Sequence, residues 1–147
     1  MSEARAKALT DAVVADWSES AVSFQPPAPF EIEVLEQRYG VTLPLAFAAF
    51  YRRHNGMLPN VSDDHFIRFW PIGEICPVAD QFRMASASLR GFYIFADYSL
   101  WAHAYAIRMD ARSDEIVAIA GPSHHQSVAP SFIDFLERYV ADIDSLL

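Results

Sequence analysis

From Trp101 to Met109 the chain alternates without a break. Trp101, His103, Tyr105, Ile107 and Met109 fall on one side, and Ala102, Ala104, Ala106 and Arg108 on the other. A repeat of two is the signature of a β-strand, since a helix would scatter each set around its circumference. A second apolar run, Glu115–Ala120, follows across the polar connection Asp110–Asp114, which suits a hairpin, and Gly121-Pro122 ends it. Phe66–Trp70 and Phe92–Ala96 are two further strand candidates. Strands that follow one another across short links pair antiparallel. The small Ala side chains on one side of 101–109 allow a helix to approach closely there.

Helical spacing flanks this strand run on both sides. A first helix is predicted over about 3–17, within an N-terminal segment 1–20, with Leu9, Val13, Val14 and Trp17 on one side. The run Gln25-Pro26-Pro27-Ala28-Pro29 cannot continue it, so residues 25–29 read as a linker and the first helix as a loosely packed element or arm. A second helix over about 30–39 buries Ile32, Leu35 and Tyr39 and stops at Gly40, which tolerates the left-handed cap conformation. A third starts near Pro44, carries Phe47, Phe50, Tyr51 and His54 at helical spacing, and stops at Asn55-Gly56. A closing helix over about 131–146 opens on the capping pattern Ser131 to Asp134. Its apolar stripe is Phe132, Phe135, Leu136, Tyr139, Val140, Ile143, Leu146 and Leu147. Helices, then an antiparallel strand run, then a helix predict an α+β two-layer domain, with N-terminal helices and a C-terminal helix packed on the sheet. A doubly wound fold would need strands and helices in alternation. One domain over 1–147, with its core in 30–147, suits a chain of this length.

Composition narrows the chemistry. The net charge of -8, with Lys7 as the only lysine, disfavours nucleic-acid binding, because phosphate contact needs clustered Lys and Arg. The N-terminus lacks the apolar stretch of a signal peptide and no run reaches the ~20 apolar residues of a membrane span, so a cytoplasmic protein with no membrane contact is expected. Cys76 is the one cysteine, which rules out an internal disulfide, and its apolar neighbours read as core packing. The histidines are His54, His65, His103, His124 and His125; only the last two are close, and adjacent side chains point apart, so they read as a polar loop rather than a metal site. No phosphate-binding glycine loop and no Gly-x-Ser-x-Gly elbow occurs. No catalytic residue, metal or cofactor is expected.

Two segments are candidates for contact with a partner. Asp63-Asp64-His65 looks like a metal fragment but reads more simply as a solvated acidic loop before a strand. Asp97-Tyr98-Ser99-Leu100-Trp101 joins two strands. In one reading Asp97 caps the turn and Trp101 fills core; in the other Tyr98 and Trp101 are binding anchors. The candidate partner-binding residues are therefore Asp63, Asp64, Asp97, Tyr98 and Trp101.

The segment Tyr39-Gly40-Val41-Thr42-Leu43-Pro44, followed by Phe47, Phe50, Tyr51 and Asn55-Gly56, resembles the hallmark of the SUKH superfamily. Phe95-Ala96-Asp97-Tyr98 is similar to its middle strands, and Ala129-Pro130-Ser131-Phe132-Ile133-Asp134-Phe135-Leu136 to its closing helix, so the likeness covers about 28–142. Where many members carry a Gly-rich turn, this chain has Asp97–Trp101. The resemblance implies a two-layer α+β fold shared by bacterial immunity proteins and fungal cell-wall-synthesis regulators, without established catalytic residues. The expected function is a protein-binding module that neutralises a toxin, with a basic toxin domain such as a nuclease as partner. A regulatory or scaffold domain is the alternative, and an enzyme the third reading.

Overall fold

A computed structural model describes residues 2–83, 85–121 and 124–147. The chain begins with three helices, α1 (Ser2–Glu19), α2 (Pro29–Tyr39) and α3 (Leu45–Tyr51). The strands are β1 (Ile67–Phe69), β2 (Cys76–Pro77), β3 (Phe92–Tyr98), β4 (His103–Arg108), β5 (Ile116–Gly121) and β6 (His124–Ala129). A short helix α4 (Val78–Gln81) lies between β2 and β3, and α5 (Phe132–Ala141) closes the chain before a 3-10 turn at Ile143–Leu146. The six strands form one sheet in the order β1-β3-β4-β5-β6, with β2 beside β3, and every pairing is antiparallel. This is the α+β two-layer arrangement the periodicities predict.

Aromatic side chains join the helices to one face of the sheet. Phe95 meets Phe47 of α3 at 5.4 Å and Phe132 and Phe135 of α5 at 5.8 and 5.5 Å between ring centroids. Tyr105 of β4 meets Phe135 at 5.5 Å. Helix α5 therefore packs on the Tyr105 side of β4, opposite the alanines. Ala104 and Ala106 are nonetheless fully buried, while Ala102 is exposed in the turn before β4. Leu89, from the irregular stretch before β3, lines a hollow with Phe92, Arg108 and Val117 on the alanine face.

The first helix is not an arm. Ala6, Leu9, Val13 and Trp17 are buried, and Trp17 sits 5.4 Å from Phe69 and 4.9 Å from His54. Its indole N–H donates to Tyr139 Oη of α5 at 2.9 Å. The proline-rich stretch is tied down as well: Gln25 exchanges backbone hydrogen bonds with Asn55 and Gly56, at 2.9 and 2.7 Å. In α5, Ser131 Oγ accepts from Asp134 N–H at 3.1 Å, as the capping pattern predicted. The α-helix stops at Ala141, however, and Val140 at 49% and Leu147 at 46% are exposed, outside the buried stripe. Gly40 caps α2 in the left-handed conformation with φ +64°. The end of β5 expected at Gly121-Pro122 holds for Gly121, whereas Pro122 lies outside the described residues.

Two outcomes test this packing. Phe135 is fully buried among aromatic rings, so Phe135→Ala should cost roughly 3–5 kcal/mol in urea melts; a loss below about 1 kcal/mol would contradict the packing. His54 is buried between α1 and α3, and desolvation pushes its ring from 6.5 down to about 3, helped by the nearby Arg53 charge. The folded ring stays neutral while the unfolded one protonates, so this part of the stability is full above pH 6.5 and falls as pH drops from there towards 3. Between pH 7 and pH 5 the wild type should lose roughly 2 kcal/mol more than His54→Gln. Equal losses in the two proteins would contradict the burial of a neutral ring.

Candidate protein-binding surface at the hairpin between β3 and β4

The candidate residues divide by burial. Asp63 is buried, and both its oxygens are engaged: Oδ1 accepts from the His65 and Ile67 backbone N–H at 2.8 and 2.9 Å, and Oδ2 accepts from the Tyr139 hydroxyl. Desolvation raises its pKa above the usual carboxylate range, against the lowering effect of those donors. Asp97 is also buried, on β3, where Oδ2 accepts from Trp70 Nε1 at 2.7 Å. Neither carboxylate faces solvent, because each satisfies donors that folding would otherwise bury unpaired. The expectation that both acids present charge to a partner is corrected accordingly. Asp64 is exposed, so the acidic loop offers one free carboxylate from this pair.

The hairpin departs from the reading in which Asp97 caps the turn and Trp101 fills core. Asp97 bonds to Trp70 across the sheet rather than within the turn. Trp101 is held edge-on by Trp70 at 5.3 Å and Phe82 at 6.2 Å, yet stays 45% exposed. Tyr98 is half-buried and stacks on His103 at 4.8 Å. Between them the backbone makes a left-handed run, with φ +50° at Ser99, +54° at Leu100 and +74° at Trp101. None of the three is glycine, and such conformations cost about 1–3 kcal/mol each for ordinary residues. The turn is closed by Ala102 N–H to Tyr98 C=O at 2.9 Å.

A second strained residue lies beside it. Phe66 has φ +66° and is 63% exposed, and its carbonyl accepts from Ser99 N–H at 2.8 Å. That bond places two left-handed, solvent-facing segments side by side, one with Phe66 and the other with Leu100, which is 86% exposed. Exposed apolar groups on strained backbone are held there by the surrounding framework rather than chosen by local preference. Periodicity missed Phe66 and Leu100 because alternation assigns them to a strand start and a turn. Left-handed backbone has no residue signal when glycine is absent.

The remaining predicted groups are structural. Tyr51 Oη donates to Trp70 C=O at 2.6 Å, and Asn55 Oδ1 accepts from Ile72 N–H at 2.8 Å. Gly56, at φ +64°, lies so close to Trp70 that a Cβ would meet its carbonyl at 2.5 Å. The Asn-Gly pair therefore clasps α3 to the end of β1. Cys76 is buried in β2, and desolvation raises its thiol pKa, which makes it a poor nucleophile. His124 and His125 lie on β6, a strand rather than the expected loop, and both are exposed. Among the described residues no three His, Cys, Asp or Glu side chains come together as a metal site, and no helix is long and apolar enough to cross a membrane.

No curated protein matches the chain. The model of the SMI1/KNR4 family (SUKH-1) matches residues 26–138. That span takes in α2, α3, the Asn-Gly clasp, the whole sheet and most of α5, well over half of the sequence. By that match the chain belongs to the SMI1/KNR4 family, SUKH-1.

Proposed function

We propose that this protein is a non-catalytic binding module of the immunity kind, which neutralises a basic toxin domain in the cytoplasm by direct contact. The observation that carries this reading is the paired strained segment at Phe66 and Ser99–Trp101, which holds apolar side chains in solvent at the expense of backbone energy. Strain of that kind concentrates at functional positions, and a half-exposed Trp on a rigid platform is a common binding anchor. The net charge of -8 supports a basic partner, since complementary charge speeds encounter and an acidic surface can occupy a phosphate-binding cleft. The buried carboxylates and tyrosines are consumed by framework bonds, which favours binding over catalysis. A regulatory or scaffold role with another protein partner would use the same surface. A toxin gene next to this one would favour immunity.

Co-expression with a toxin encoded beside this gene tests the proposal. Growth should be rescued, and the association rate of the purified pair should fall as salt rises, because exposed charges are screened over ~8 Å at physiological ionic strength. Trp101→Ala should weaken the complex by about 2 kcal/mol or more, while Asp64→Asn mainly slows association. Leu100→Gly separates strain from contact: it should stabilise the fold by about 1 kcal/mol and still weaken binding. A protein that neither binds nor protects against its neighbouring toxin would sink the immunity reading. Full affinity in Trp101→Ala would move the interface elsewhere.

A further inference from the structure

The sheet has two edges, and its own chain closes only one. On the outer side of β1, Phe69 C=O accepts from Met57 N–H at 2.8 Å and Ile67 C=O from Asp63 N–H at 2.9 Å. At the other edge lies β6. Among the described residues no backbone group outside the β5 ladder bonds to its residues 124–127, and all four are exposed. An antiparallel pairing uses one side of a strand, so the outward N–H and C=O groups of residues 124–127 remain a template for another strand, while the Val128 carbonyl accepts from the Arg138 guanidinium.

Edge strands are ordinarily blunted by lysine, other charges or proline. β6, His124-His125-Gln126-Ser127-Val128-Ala129, has none of these, and no Asp, Glu, Lys or Arg occurs anywhere from Ile116 to Ile133. In a chain of net charge -8 this is a long neutral strip, and it coincides with the open edge. A basic foreign partner would gain nothing electrostatic there. Two copies of this chain, which repel wherever their acids meet, can approach along it. Gln126 carries both a donor and an acceptor, so it can face its own copy, and Ser127, with a hydroxyl that donates and accepts, can face His125 of the second copy.

We propose that β6 pairs antiparallel with β6 of a second copy about a two-fold axis near Gln126, joining two sheets into one. Such a pairing is isologous and closes at two copies, and the satisfied outer side of β1 stops the sheet from growing further. The inference is independent of the hairpin surface and of any toxin.

Sedimentation of the full chain over a wide concentration range tests it. The wild type should shift towards twice the 16.5 kDa of one chain as concentration rises, with little dependence on salt. Placing like charges opposite each other with Gln126→Lys should weaken the dimer by at least about tenfold, with circular dichroism confirming the fold. Gln126→Cys supplies a second arm that does not depend on the lysine variant folding. Native Cys76 is buried, so mild oxidation should give a disulfide-linked dimer through position 126. A wild type that remains a single chain throughout, a dimer indifferent to the lysines, or a Gln126→Cys chain that stays unlinked would overturn the proposal. So would β6 taking up a strand from another protein in place of its own copy.

Discussion

A line of buried hydrogen bonds runs through the domain from Trp17 to Tyr139 to Asp63, and the placement of its three parts depends on it. Trp17 brings α1, Tyr139 brings α5, and Asp63 brings the loop that leads into β1. These groups are separated by 122 and 76 positions in sequence, so the contact exists only when the fold is complete. A buried carboxylate is costly unless its oxygens are filled. Here one oxygen takes two backbone N–H groups and the other a tyrosine hydroxyl, which in turn accepts the indole N–H. The same two backbone bonds shape the turn that ends in Phe66 with its left-handed backbone. Stability and the strained surface therefore share a foundation.

That foundation explains how exposed apolar groups persist at the hairpin. Trp70 joins this framework to the hairpin. Its carbonyl accepts from Tyr51, its backbone N–H pairs with Phe95 C=O, its ring N–H donates to Asp97, and its ring supports Trp101. Gly56 is required beneath it because any side chain would strike its backbone. The family's Asn-Gly pair and the candidate binding turn are thus joined through one residue. A rigid support of this kind lets a protein hold an anchor such as Trp101 half out of the core before its partner arrives, which lowers the entropy cost of binding.

Much of the architecture could be read from spacing alone. β4 follows its alternation, α2 stops at Gly40, α3 starts after Pro44, and Ser131 caps α5 through Asp134. Elements whose cause is tertiary were misread. β6 looks polar because one side of an edge strand meets water and its first four residues are exposed, so His124-His125 resembled a loop. Helix α1 looked detachable because proline ends it, but Gln25 re-attaches the break to Asn55 and Gly56. The alanines permit close approach without saying what approaches, and α5 lies on the other side of β4, against Tyr105.

The sequence by itself determined the class of fold, because periodicity, caps and turn residues are local and act through backbone sterics; the family showed in the order of motifs that resemble it. It also determined the acidic balance, which is a sum over residues. The tertiary structure decided which acids are available to a partner, because burial depends on segments distant in the chain: Asp63 and Asp97 turn inward to satisfy Tyr139 and Trp70, and Asp64 stays outside. It also decided the left-handed path of Ser99–Trp101, where the paired ends of β3 and β4 and the carbonyl of Phe66 overrule the preferences of three ordinary residues.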